Sequence, residues 1–212
     1  MKWSTLAYGR RGDTCIIMGN GPSLCEWLSR PSPRFVETFG SNGIYLGTTP
    51  DYYVCVDPVM RPYIKDAALP LLGASKVLFL GRELLKGGLL ADISDPRIVK
   101  VETVQRPHFS IAPELGVYEG YTVTYVMLQI AYWLGFERAY LVGVDWHDMD
   151  QHFSIDYPKF GATYLKSNMS VAEDAFRMAK YEWENDGRSI TNLTPGTALD
   201  VFKKADVEDI RW

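Results

Sequence analysis

An open, mostly parallel α/β sheet with helices on both faces is the fold class this sequence predicts, on three observations. Short β-type runs alternate with helix-type segments, the pattern of βαβ units. The first run, Thr14 to Met18, leads straight into a glycine turn, Gly19-Asn20-Gly21-Pro22-Ser23. The clearest strand, Ala139 to Val144, follows a helix-type segment, Thr122 to Leu134, closed by Gly135. Glycine is favoured just past a helix end because it accepts the left-handed conformation there.

Each element has its own reason. Thr14-Cys15-Ile16-Ile17-Met18 is nearly continuous in its apolar residues, as a strand covered on both faces must be. Phe35 to Phe39 is a weaker second strand, and Tyr52 to Val56 a third, halted by Asp57-Pro58. Lys76 to Leu80 and Ile98 to Glu102 follow as two more. A last helix is predicted over Ser170 to Asn185, where Ala172, Ala175, Phe176, Ala179 and Trp183 share one face. Glu173 and Arg177 make an i,i+4 pair on another face, and Gly187 follows the end. Arg106 to Gly120 and Trp146 to Asn168 read as irregular loops. Loops of that length in a compact domain are often lids or binding loops, and residues 146–169 are read as one.

The bulk properties narrow the class. The 212 residues suffice for one well-buried core and are short for two, so residues 1–212 are read as a single domain. Hydrophobic residues make up 47% and charged residues 23%, which argues against disorder. A net charge of −4 gives no global field to attract nucleic acid or an anionic membrane. Cys15, Cys25 and Cys55 are odd in number, widely spaced and without a CxxC pair, which disfavours a disulfide framework or a zinc site. The N-terminal residues lack the apolar stretch of a signal peptide. The longest apolar run, Val123 to Phe136, is too short to span a bilayer. A soluble, cytoplasmic protein is expected. The 13% aromatic content, with six tryptophans, suits either a large core or an apolar interface such as a homo-oligomer would use.

Five constellations carry chemistry. In the Gly19–Ser23 turn the glycines let backbone approach a ligand without a Cβ clash, and the following helix start attracts anions, phosphate above all. Pro22 suits a first helical turn and Ser23 offers a hydroxyl. The same residues also suit a plain tight βα turn. Leu24 stands where GxGxxG would place its last glycine, and the run is not a Walker A loop, so a conventional dinucleotide or P-loop site is disfavoured. Gly40-Ser41-Asn42-Gly43 would emerge at the same carboxyl edge, where open α/β sheets bind ligands, or serve only as a turn. Asp57, at a strand end, suits a metal, a ribose hydroxyl or a helix cap equally. Asp145, His147, Asp148, Asp150, His152, Asp156 and Tyr157 cluster after a buried strand. They supply candidate acid–base groups or ligands, or a polar surface loop, without a known metal-ligand spacing. Thr122 suits the N-cap of its helix.

Taken together, Cys15 to Leu24, Ser41-Asn42, Pro50 to Asp57 and above all Thr122 to Asp145 resemble the bacterial family 42 sialyltransferases. The same segments, with Gly187 to Asn192 and Thr194-Pro195-Gly196, are similar to a broad family of uncharacterised proteins grouped with archaeal 6-hydroxymethylpterin diphosphokinases. The resemblance implies a Rossmann-like fold that binds a nucleotide or nucleotide-activated substrate, a CMP-linked sugar in the sialyltransferases, with no metal required. It implies that Gly19, Asn20, Gly21 and Ser23 contact donor phosphate and sugar, with Asn42 and Thr122 also on the donor. Groups after Asp145 would stabilise the departing phosphate. Two departures stand out: no histidine follows His152, and Gly120 falls where those enzymes carry an arginine before the donor-binding helix. Catalysis would therefore fall to His152 or His147, supported by Asp145 or Asp148.

Three functions follow as expectations. One is a glycosyltransferase of sialyltransferase-like type using a CMP-linked sugar donor without metal. Another is an ATP-dependent pyrophosphokinase, which would need magnesium, with Asp57 and Asp145 as ligands. The third is a non-catalytic nucleotide-binding protein of the same fold.

Overall fold

The computed structural model describes residues 3–6, 9–10, 12–86, 95–106, 108–147, 150–158 and 166–212. Asp148, named above, lies outside these residues, as do 149 and 159–165 of the expected lid. In chain order the elements are β1 (Thr14–Met18), α1 (Leu24–Leu28), β2 (Glu37–Ser41), β3 (Tyr52–Cys55), α2 (Arg61–Ala74), β4 (Val77–Gly81) and β5 (Ile98–Val101). There follow β6 (Thr103–Val104), β7 (Val117–Tyr118), α3 (Val123–Leu134), β8 (Arg138–Val142), α4 (Met169–Asn185), β9 (Ser189–Asn192) and β10 (Lys203–Lys204).

Eight strands form one sheet in the order β10-β9-β8-β1-β2-β3-β4-β5, and every pairing is parallel. β6 and β7 pair separately. A parallel sheet is covered on both faces, which is why β1 alternates between two cores rather than between core and solvent. Cys15 and Ile17 join the core beneath α3 and α4, while Ile16 and Met18 join the one with Leu24 of α1 and Ile64 and Leu71 of α2. The expected fold class is the observed one.

β1 to β5 add outward in one direction, and the chain then returns to place β8 on the other side of β1. The order therefore reverses between β1 and β8, and open α/β sheets bind ligands outside the carboxyl ends of the strands at such a point. The register sets Met18 opposite Val142, so the two strands end flush.

α3 obeys its sequence closely. The Thr122 hydroxyl accepts from the Thr124 amide at 3.3 Å, and Gly135 closes the helix at φ +100°. Inside α3, fully buried Gln129 accepts from the Ser110 and Tyr118 amides, both at 3.0 Å, and donates to the Tyr118 carbonyl at 2.8 Å. That side-chain amide pins residues 108–120, which also contain β7, so these are less irregular than their sequence implies.

Other boundaries moved. The second strand begins at Glu37, not Phe35, which is fully exposed at φ +64°. Glu37 marks the start because its carboxylate meets Arg10 at 2.8 Å and accepts from the Tyr52 hydroxyl at 3.1 Å. Among the described residues no helix is long and apolar enough to cross a membrane.

Candidate functional site

The flush ends of β1 and β8 bring Gly19 to Ser23 against Gly143 to Asp145. The Gly19 amide donates to the Val142 carbonyl at 2.8 Å and the Gly21 amide to the Gly143 carbonyl at 2.9 Å. A Cβ on Gly19 would stand 2.3 Å from the Gly143 oxygen, and one on Gly21 would stand 1.9 Å from Asp145 Oδ2. The bare Cα atoms are thus required by the approach of the two turns to each other.

Asp145, 5% exposed, accepts from the Ser23 hydroxyl at 2.9 Å and from the Ser23 amide at 3.3 Å. Both carboxylate oxygens are committed to the turn. From the other side, Val144 is bracketed by the C-terminal motif: its amide donates to Thr194 Oγ1 at 3.0 Å and its carbonyl accepts from Thr197 Oγ1 at 2.7 Å. The Gly19, Gly21 and Ser23 amides, expected to cradle phosphate, all have partners within the protein.

Among the described residues at this edge, two asparagines hold unspent hydrogen-bonding capacity. Asn20 Nδ2 donates to the Ser41 carbonyl at 3.3 Å and the Ser41 hydroxyl at 3.2 Å, joining the turn after β1 to the end of β2. Its Oδ1 is buried without a partner, and so is Asn42 Oδ1. Asn42 sits at φ +50°, held there as the Tyr53 hydroxyl donates to its carbonyl at 2.7 Å. An unmet buried polar atom costs about 1–3 kcal/mol, so two on adjacent strand ends mark this edge as the candidate site.

Residues 150–158 fold over these turns. The Phe153 amide donates to the Asn20 carbonyl at 3.1 Å, and the Cys25 thiol donates to the Phe153 carbonyl at 2.9 Å. Tyr157 is buried against Gly43, and burial pushes its hydroxyl pKa up against the opposing influence of the Gly43 amide and the Asn42 side chain. His152 is half-buried and stacks on Tyr157, and burial lowers its pKa against the opposing pull of Asp150. His147, by contrast, is exposed. It follows Trp146, which is held at φ +62° by an indole hydrogen bond to Glu173 Oε1 at 2.9 Å and an edge contact with Phe176.

Thr122 caps α3 at the same carboxyl edge, just after Tyr121 at φ +61°. Asn42, Tyr121 and Trp146 are three of the four positive-φ non-glycine residues among those described, and all three stand at this edge. Such conformations cost on the order of 1–3 kcal/mol each and cluster at functional sites. Asp57 caps the turn that follows β3, accepting from the Val59 amide at 3.0 Å. Among the described residues no group of three or more His, Cys, Asp or Glu side chains could hold a metal. A groove of about 420 Å³ opens nearby, with Tyr45, Pro62 and Tyr63 among its walls.

Sequence reasoning found Gly19, Asn20, Gly21, Ser23, Asn42, Thr122, Asp145 and His152 at one edge. It passed over Ser41 as a partner of Asn20, and the stack of Tyr157 on His152. The spacing His152 to Tyr157 carries no signal for a stack, because the contact is made in an irregular segment.

These features define a class: a parallel α/β fold with a candidate site at its topological switch point, over which residues 150–158 lie. Among solved structures, the chain is similar to the sialyltransferase CstII from Campylobacter jejuni, in complex with the substrate analogue cytidine-5′-monophosphate. The TM-score is 0.58 at 16% identity, over 92% of this chain and 86% of that one. It is also similar to the sialyltransferase CST-II in complex with a trisaccharide acceptor and CMP, with TM-score 0.57 at 15% identity, over 94% and 89%. At this identity the likeness establishes the fold. No family model matches the sequence, and no curated protein does. The pterin-diphosphokinase half of the resemblance gains no support from these neighbours.

Proposed function

We propose that this chain is a glycosyltransferase that takes a CMP-linked sugar as donor at the switch point between β1 and β8. One observation carries the reading: Asn20 and Asn42 hold buried, unpartnered side-chain oxygens on adjacent strand ends. A side-chain amide presents an acceptor and two donors and can turn about its last bond to suit a ligand. Ribose hydroxyls and a base amino group match that set. The solved structures of the same fold hold CMP, which supports the choice of nucleotide.

In the reaction, an acceptor hydroxyl oxygen bonds the anomeric carbon as the bond from that carbon to the phosphate oxygen breaks. The CMP phosphate leaves with the electron pair, and a base takes the acceptor proton. His152 is the base in this reading: its lowered pKa leaves the imidazole neutral at pH 7, ready to accept. His147, exposed just after Asp145 and Trp146, would meet the departing phosphate in this reading. Asp145 acts through Ser23, holding the turn that carries Asn20. Gly19, Gly21 and Thr122 shape the donor's surroundings.

The test is calorimetric binding and thermal shift with CMP, CDP, UDP, ATP and CMP-sialic acid, each with and without magnesium. The expected result is a metal-independent shift with the CMP compounds, abolished by Asn42→Ala, together with transfer that His152→Ala removes. A shift confined to ATP with magnesium would replace this reading with the pyrophosphokinase. Binding of CMP-sialic acid without any turnover would leave a non-catalytic nucleotide-binding protein.

A further inference from the structure

Tyr157 touches both halves of the candidate site. Its ring lies 3.8 Å from that of His152, centroid to centroid, and only 9° from parallel. The side chain is 5% exposed, with its ring so close to Gly43 that a Cβ there would stand 2.5 Å away. Phe153 meets the same ring edge-on at 6.2 Å, and the Phe153 amide is tied to the Asn20 carbonyl. At its far end the hydroxyl feels the Gly43 amide and the Asn42 side chain, which oppose the effect of burial on its pKa, and Asn42 Oδ1 is buried without a partner.

We propose that Tyr157 is a positioning residue that fixes the His152 imidazole through one face of its ring and, by packing on Gly43, the turn that carries Asn42. The roles of His152 and Asn42 rest on the proposed function; the two contacts do not. A catalytic constellation needs its groups held to within a fraction of an ångström by neighbours whose own conformations are locked. Tyr157 meets that condition because its ring is buried between Gly43 and His152. Gly43 is therefore part of the same device, since a side chain there would displace the platform. A single buried residue thereby couples the segment after β8 to the end of β2, so that base and donor-binding amide are set together. The charge acting on His152 is the Asp150 carboxylate, which opposes the effect of burial. Tyr157 itself stays protonated at every physiological pH, because burial raises its pKa.

The experiment is proton and nitrogen NMR of the unliganded chain, comparing wild type with Tyr157→Phe and Tyr157→Leu. Wild-type His152 ring protons should be shifted upfield by the stacked ring and should titrate below the ordinary value near 6.5. Tyr157→Phe should preserve both. Tyr157→Leu should return the His152 protons to ordinary shifts, raise its pKa toward 6.5 and move the Asn42 side-chain amide resonances. Ordinary His152 shifts in wild type, their loss in Tyr157→Phe, or an unchanged titration or unmoved Asn42 resonances in Tyr157→Leu would each overturn the proposal. If Tyr157→Leu fails to fold, the wild-type shifts and the isosteric Phe variant decide it. No readout needs ligand or turnover, so a chain that ignores CMP would sink the transferase reading while the Tyr157 contacts are still judged on their own.

Discussion

The Ser23 hydroxyl donates to Asp145 Oδ2 at 2.9 Å, joining residues 122 apart in sequence across the point where the strand order reverses. The Ser23 amide adds a second bond to the other carboxylate oxygen, at 3.3 Å. With the Gly21 amide on the Gly143 carbonyl, these bonds make the two turns one unit. Asp145→Ala removes the acceptor for both Ser23 donors in a buried place. It should destabilise the protein by about 1–3 kcal/mol, read from urea denaturation. Ser23→Ala should cost less, and a double-mutant cycle should show the two effects to be far from additive.

Gly21 and Gly73 make a contrasting pair. A Cβ at Gly21 would stand 1.9 Å from Asp145 Oδ2, whereas one at Gly73, within α2, meets nothing within 4 Å. Gly21→Ala should therefore destabilise by at least about 1–3 kcal/mol, the usual cost of overpacking. Gly73→Ala should stabilise by roughly 0.5–1 kcal/mol, because alanine gives up less backbone freedom in a helix. Thermal melts of both variants check the pair, and equal effects would contradict the packing described.

Thiol chemistry reports on the segment over the site. Cys15 and Cys55 are buried; burial pushes the Cys15 thiol well up and the Cys55 thiol up to about 12. Cys25 is exposed and rests its sulfur on the Phe153 carbonyl. At pH 8 one thiol per chain should react with a maleimide in the native state and three after denaturation. If a CMP compound binds and reorders residues 150–158, the rate at Cys25 should change while the other two stay silent.

Stability should carry the mark of His152. Its pKa is lowered in the folded state, so below about 6.5 the unfolded chain binds the extra proton more readily. Stability attributable to this group is therefore complete above the unfolded pKa and declines as pH falls toward the folded one. Urea midpoints measured between pH 7 and pH 5 should drop less in His152→Gln than in wild type.

Much of this was legible in the sequence where local chemistry decides structure. β1 runs over Thr14–Met18 as expected, and α3 carries the expected Thr122 cap and Gly135 close. The predicted buried face of α4 holds at Ala172, Ala175, Phe176, Ala179 and Trp183. α2 was invisible because Pro62 and Pro70 read as breakers. Pro62 sits at the helix start, where a missing N–H is harmless, and Pro70 lies inside a helix whose Ile64, Ala67, Leu71 and Leu72 are buried. β9 was recognised only as a motif, since Ile190 is its one apolar residue. At the site, residue types and their edge of the sheet were readable. Pairings such as Asn20 with Ser41, or His152 with Tyr157, depend on how distant turns meet, and no local pattern encodes that.

The place of β1 in the sheet has a consequence for synthesis on the ribosome. Thr14 pairs in register with Arg138, and 124 residues separate them. Until the second half of the chain emerges, the central strand has β2 on one flank and a bare row of amides and carbonyls on the other. Exposed strand edges invite pairing with other chains, and long-range pairings are slow to form. A nascent chain stalled before Arg138 is therefore expected to be a client for chaperones, because the slot reserved for β8 is the one into which a foreign strand would fit.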